Sequence, residues 1–203
     1  MIVMLDTSQN LDDCQAELGC PVEQLFTPLT RYNSQRPEQA FAMDNGAFSR
    51  FSSDGFLKML EKHKARRSLC RFVAVPDVVE SAIRTLEVFE YWHPRLWHTW
   101  PLAFVAQDGQ ESLPIPWDRI SAVFIGGSTS WKIGPHAKAI VQASKAIGKW
   151  CHVGRVNTPG RYEYFRDLGA DSCDGTGLSR YSHMRAAIHE AKMAPRLFEG
   201  ATE

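Results

Sequence analysis

Three aspartates stand where a short apolar stretch gives way to turn residues. Asp44 follows Phe41-Ala42-Met43 and precedes Asn45-Gly46, Asp77 follows Phe72-Val73-Ala74-Val75-Pro76, and Asp174 closes Gly169-Ala170-Asp171-Ser172-Cys173 before Gly175. An acid in that position is the last side chain a strand hands to a loop, so it faces the mouth of a parallel sheet, where enzymes keep nucleophiles and acid/base groups. Taken singly, each acid is more commonly a helix cap or a turn residue. Taken together, three acids at three strand ends point to catalysis. Two carboxylates suffice to displace a group from an acetal-like carbon, one as nucleophile and one as proton shuttle, as in retaining glycosidases.

The residues around these acids suit a flat, polar ring. Phe48 offers a stacking face, and Gly46 lets a ligand approach the backbone. Asp77 can accept from a purine N1–H and an exocyclic amine, Gln107 after Leu102–Ala106 can donate and accept, and Gly126-Gly127 after Phe124-Ile125 exposes backbone N–H groups. The set is complementary to guanine.

Something must bring these positions together. Apolar runs recur at Ile2–Leu5, Gln24–Leu29, Phe41–Met43, Phe72–Val75, Leu102–Ala106, Ala122–Ile125, Trp150–Val153 and Ala170–Cys173. Runs this short and uniformly apolar read as strands of a parallel sheet covered on both faces. Helical patterns alternate with them: Asn10 caps a helix that Gly19 stops, Ile140, Val141, Ser144 and Ile147 share a face before Gly148, and Thr158-Pro159 opens a helix that Gly169 ends. The expected fold is α/β, a compact (β/α)8 TIM-like barrel forming one domain over residues 1–203, with an open doubly wound sheet as the rival. About 200 residues lie at the lower limit for that barrel, so some crossovers must be abbreviated. Pro114 and Pro116 mark one of them.

Composition narrows the partners. Lys plus Arg and Asp plus Glu both number 23, so no global positive field announces a nucleic acid, and any such partner needs a local patch. The five cysteines form no C-x-x-C pair, which fits reduced thiols and a cytoplasmic location, and no metal cluster emerges. No apolar span approaches the ~18 residues of a membrane helix, so no membrane partner is expected. Cys173 reads as a buried small hydrophobe, and His152 as either a pocket wall or a satisfied strand histidine. The run from Lys62 to Arg67 reads as a solvated helix end, with phosphate contact as the alternative. Trp92, Trp97 and Trp100 are expected to pack a connection, while Trp131 offers either packing or a stacking face.

In order along the chain, Asp44-Asn45-Gly46-Ala47-Phe48, Val75-Pro76-Asp77, Val105-Ala106-Gln107, Ile125-Gly126-Gly127-Ser128, His152-Val153-Gly154 with Thr158-Pro159, and Gly169 to Asp174 resemble the motifs of the tRNA-guanine transglycosylase family. Those enzymes exchange guanine in a nucleic acid for a 7-deazaguanine. The resemblance implies that Asp174 is the nucleophile and Asp44 the general acid/base. It implies a base site made by Phe48, Asp77, Gln107, Gly126, Gly127, Ser128, Val153 and Gly154, with Arg180 on the nucleic acid; Lys132, at a strand end beside Trp131, is expected to join Arg180 on phosphate. No cofactor is expected, and no metal either, because nothing like the structural zinc ligands of the family's tRNA enzymes follows Asp174. The sequence departs from the family at Ala47, where a second glycine is usual, in a turn after Gly154 longer by about one residue, and in lacking the C-x-C-x2-C zinc pattern after Asp174.

The chain therefore looks more like the reduced members found in phages and bacterial islands, which insert 7-deazaguanines such as the 7-cyano form into DNA. The expected partners are DNA, at an unpaired or flipped guanine, and a 7-deazaguanine base, in a host cytoplasm if phage-encoded, with a homodimer as a candidate assembly. The alternatives are the same exchange on tRNA, a nucleosidase or glycosylase using water, and a non-catalytic nucleic-acid-binding relative.

Overall fold

The computed structural model describes residues 1–6, 10–33 and 36–193. Eight strands, β1 (Ile2–Leu5), β2 (Val22–Phe26), β3 (Phe41–Met43), β4 (Cys70–Ala74), β5 (Leu102–Ala106), β6 (Ala122–Ile125), β7 (Trp150–Val153) and β8 (Ser172–Asp174), pair in parallel and in sequence order. The sheet closes on itself, because β1 pairs with β8 through Ile2 and Ser172, Val3 and Cys173, and Met4 and Asp174. The protein is a (β/α)8 barrel.

Helices α1 (Leu11–Leu18), α2 (Ser53–His63), α3 (Ala82–Leu96), α4 (Thr129–Lys132), α5 (Pro135–Ala146), α6 (Pro159–Asp167), α7 (Thr176–Arg180) and α8 (Ser182–Met193) connect or cover the strands. Their ends follow side-chain chemistry. Asn10 accepts from the Asp13 N–H and Thr158 from the Arg161 N–H, while Gly19 terminates α1 in the left-handed region at φ 60°. The crossover between β5 and β6 holds only two short 3-10 turns, Gln110–Ser112 and Trp117–Arg119, as the prolines there dictate. Ile147 departs from the expected apolar face: it follows the last turn of α5 and is 51% exposed, whereas Ile140, Val141 and Ser144 are buried. Among the described residues no helix is long and apolar enough to cross a membrane.

The core has two layers. One cluster, Met4, Leu25, Ala42, Phe72, Ala74, Ala103, Val105, Ala122 and Phe124, draws on six strands and no helix, and so fills the barrel interior. The alternate residues, including Val3, Leu5, Val123, Val153 and Cys173, pack outward with helix residues such as Leu11, Val141 and Phe165. Phe72, fully buried, contributes on the order of 1.5–3 kcal/mol through its removal from water. Trp92 and Trp100 lie in a further cluster with α3, while Trp97 stays half-exposed. The interior is polar at its lower end, where Arg71 donates to both carboxylate oxygens of the buried Glu23 at 2.6 and 2.5 Å.

A candidate active site at the barrel mouth

The loops at the C-terminal ends of the strands enclose a cavity of about 300 Å³, at the lower end of the range for small-molecule sites. Asp44, Phe48, Asp77, Gln107, Gly126, Gly127, Gly154, Asp174 and Arg180 all line it. The parallel strands explain the convergence, since each ends at the same face.

On the β3 to β5 side the polar groups brace one another. Asn45, fully buried, donates to the Val75 carbonyl at 3.0 Å and to Asp77 Oδ1 at 2.7 Å, and accepts from the Ala47 N–H at 2.7 Å. Gln107 Nε2 donates to Asp77 Oδ2 at 2.6 Å, while its Oε1 accepts from the N–H groups of Gly127 at 2.8 Å and Glu80 at 2.9 Å. The amide orientation of Gln107 is thereby fixed, and Asp77 keeps further acceptor capacity toward the cavity. Burial pushes the Asp77 carboxyl up to about 6, against the two amide donors that favour its anion.

Asp44 accepts from the Gly46 N–H at 3.2 Å. Burial, then the nearby charges of Asp174 and Asp77, push its carboxyl up to about 7, so near neutral pH it exists in both protonation states. That is the condition for a group that must give a proton and take one back.

Asp174 faces it from β8. Its Oδ1 lies 3.0 Å from His152 Nε2 and accepts from the Arg155 N–H at 3.3 Å. Glycine is required at 154, because a Cβ there would stand 2.6 Å from the Phe124 ring and 3.4 Å from Asp174 Oδ1. At Gly127 the backbone takes φ 70°, and a Cβ would meet the Trp131 ring at 2.5 Å.

The rim carries the remaining groups. Phe48 is 63% exposed, and the Arg155 guanidinium sits 4.3 Å from its ring centre, a cation–π contact. Arg155 holds φ 59°, an uncommon value for a side-chain-bearing residue, and donates to the Gly127 carbonyl. Arg180 is exposed at the edge.

Three expected site residues lie elsewhere. Lys132 is only 3% exposed, and its amine is turned inward to the Gly154 carbonyl; burial pulls it down to about 8, so it braces the β6 and β7 loops and is not presented to phosphate. Ser128 caps α4 and gives both its N–H, at 2.6 Å, and its hydroxyl, at 2.5 Å, to Asp108. Val153 turns its side chain into the layer between strands and helices.

The Lys62 to Arg67 run lies just before β4, at the opposite end of the barrel. Lys62 donates to the Tyr32 carbonyl, and Arg66 to the carbonyls of Pro37 and Gln39. Trp131 packs beside Gly127 and donates to Glu111 at 2.9 Å. Cys173 is fully buried, which pushes its thiol well above the ordinary range. No group of His, Cys, Asp or Glu side chains that could hold a metal occurs among the described residues.

Two charged lining residues, Asp6 and Arg155, escaped the sequence reading. Asp6 follows β1 in the same apolar-then-acid pattern as the other three and contacts Thr176 at 3.4 Å. Arg155 carries no sequence signal, because neither its left-handed backbone nor its reach to Phe48 shows in residue type.

No family model matches the sequence, and no curated protein does. Among solved structures, the complex of BexX with CysO from Amycolatopsis orientalis superposes with a TM-score of 0.54 at 13% identity, over 94% of this chain and 86% of that one. Phosphoribosyl anthranilate isomerase from Thermus thermophilus gives 0.51 at 14% identity, over 95% and 98%. The likeness fixes the fold and nothing more. Neither structure is described as a transglycosylase, so chemistry must be argued from the site itself.

Proposed function

We infer that the protein is a base-exchange transglycosylase that replaces guanine in DNA with a 7-deazaguanine through a covalent aspartyl-sugar intermediate. The observation that carries the reading is the meeting of Asp44 and Asp174 in one cavity with Asp77, Gln107 and Gly127 beside them and Phe48 above. In the first step Asp174 Oδ2 attacks C1′. The C1′–N9 bond breaks, its electron pair goes to the base, and Asp44 supplies the proton that neutralises the leaving guanine. In the second step ionised Asp44 takes a proton from the incoming base, whose N9 attacks C1′ and returns the bonding pair to Asp174. Two displacements preserve the configuration of the sugar.

Asp77 can accept from N1–H and the 2-amino group, and the second N–H of the Gln107 amide can donate toward O6; the Gly127 and Gly126 N–H groups, expected to be exposed to a ligand, are given instead to Gln107 Oε1 and the Ala106 carbonyl. A base reaches this cavity only when unpaired or flipped, and Phe48, freed from Arg155, replaces the stacking it leaves. The choice of DNA follows the resemblance to reduced family members. Incubation with duplex DNA, single-stranded DNA and tRNA in the presence of 7-cyano-7-deazaguanine, followed by mass spectrometry of the nucleosides, tests it. The modified deoxynucleoside is expected; modification in tRNA alone would overturn the DNA assignment and leave the chemistry standing.

A further inference from the structure

A line of polar side chains runs up the inside of the barrel to Asp174. At the lower end the Arg71 guanidinium, held by Glu23, lies 4.5 Å from the Trp150 ring centre. Trp150 Nε1 donates to Ser172 Oγ at 2.9 Å, Ser172 Oγ is 2.8 Å from His152 Nδ1, and His152 Nε2 is 3.0 Å from Asp174 Oδ1. His152 is fully buried, with ring centres of Phe124 at 4.5 Å and Phe72 at 5.1 Å.

The chemistry of the groups orders the protons. An indole N–H only donates, so the Ser172 oxygen accepts from Trp150. The Ser172 hydroxyl proton then goes to the one acceptor paired with it among the described residues, His152 Nδ1. A ring nitrogen that accepts carries no proton, so a ring with one proton holds it on Nε2 and donates it to Asp174 Oδ1. The Arg155 N–H approaches the same oxygen at 3.3 Å.

We propose that His152 is a positioning residue, locked by Trp150 and Ser172 as the Nε2–H tautomer, that ties down Oδ1 of Asp174 and leaves Oδ2 as the attacking oxygen. The catalytic part of this role rests on the transglycosylase reading; the tautomer does not. With both donors on one oxygen, the carboxylate does not need to be oriented at the moment of attack, which is the advantage of a supported site. Because the relay donates to the carboxylate and stays clear of the base pocket, its loss should affect turnover and spare guanine binding.

Nitrogen-15 correlation spectra of the histidine side chains in the free protein, with His152 assigned by the loss of its signals in His152→Phe or their change in Ser172→Ala, test the lock. The Nε2–H tautomer is expected in the wild type, and in Ser172→Ala a mixture of the two. An Nδ1–H ring or a fully protonated ring in the wild type would overturn the proposal. In base exchange, His152→Phe should lower kcat by about 10–100-fold, the usual worth of an orienting partner, with free-guanine affinity within about twofold. His152→Gln, which restores an N–H donor at that depth, should recover most of the loss. Equal loss in the Phe and Gln variants, or loss of guanine affinity in step with kcat, would reduce His152 to a packing role and overturn the proposal. If His152→Phe fails to fold, Ser172→Ala carries the same split between kcat and affinity. A wild-type protein that exchanges no base on any nucleic acid would sink the transglycosylase reading, and the spectrum alone would then decide the relay.

Discussion

Asp44 and Asp77 carry the electrostatic cost of the site, and each has a measurable consequence. Asp44 is raised to about 7 in the folded protein by burial and by the charges of Asp174 and Asp77, against about 3.9 in an unfolded chain. Below about pH 4 both states are protonated and the group costs nothing. Between about pH 4 and 7 the unfolded chain releases a proton that the folded site keeps, so stability falls as pH rises across that window and levels off above it. Asp44→Asn should therefore gain in melting temperature relative to wild type between pH 4 and pH 8, while its turnover drops by roughly 10²–10⁴ with guanine affinity retained. A stability difference that does not change with pH would remove the charge strain from Asp44.

Asp77→Ala should weaken free guanine by about 1–3 kcal/mol, because base donors are left unpaired in the pocket. Unchanged affinity in a calorimetric titration would place the base elsewhere. The three acids were legible because each marks a switch from apolar strand to turn. Asp6 shows the same switch and went unread, since no motif includes it. Lys132 was misread because a cation beside Trp131 looks solvated in sequence, while its pairing with a carbonyl 22 residues away does not show.

At the scale of elements, the loop after β6 is the most constrained. Gly127 needs its positive φ, and a Cβ there would meet Trp131 at 2.5 Å and Asp108 Oδ2 at 2.8 Å. Gly127→Ala combines backbone strain of about 1–2 kcal/mol with displacement of the N–H that holds Gln107 Oε1, so guanine binding should weaken roughly tenfold or more through a misplaced Gln107 while the far-ultraviolet circular dichroism stays that of the wild type. Binding at wild-type strength would show that the hold of Gly127 on Gln107 does not shape the base site.

Strand boundaries failed in the sequence where polar residues enter the barrel. β2 begins at Val22 and β4 at Cys70, before the expected Gln24 and Phe72. Glu23 and Arg71 neutralise each other inside, a pairing across 48 residues that no local pattern reveals. The expected extension of β2 to Leu29 fails for a local reason. The Thr30 N–H donates back to the Thr27 carbonyl in a turn through Pro28, which has no N–H to give the ladder.

The whole molecule has no net charge, so the proposed binding of a nucleic acid must come from the rim. Arg155 and Arg180 line the cavity at that rim, and Lys132 is buried behind it. The affinity for DNA should fall with salt with a slope corresponding to about two or three phosphates, and Arg155→Ala or Arg180→Ala should each reduce the slope by about one. Lys132→Met should leave the slope unchanged; a reduced slope would return that lysine to the interface. The barrel itself was legible because eight short apolar runs alternate with capped helices, and its closure decides that Asp44, just after β3, and Asp174, at the end of β8, open into one cavity.

The central claim is the covalent bond at Asp174. The protein should be incubated with guanine-containing DNA without added base, quenched in denaturant, digested, and analysed by peptide mass spectrometry. The claim predicts a sugar-phosphate adduct on the peptide that carries Asp174, absent from Asp174→Asn and discharged when guanine or a 7-deazaguanine is added before the quench. An adduct on another residue, or base exchange at wild-type rate by Asp174→Asn, would contradict it.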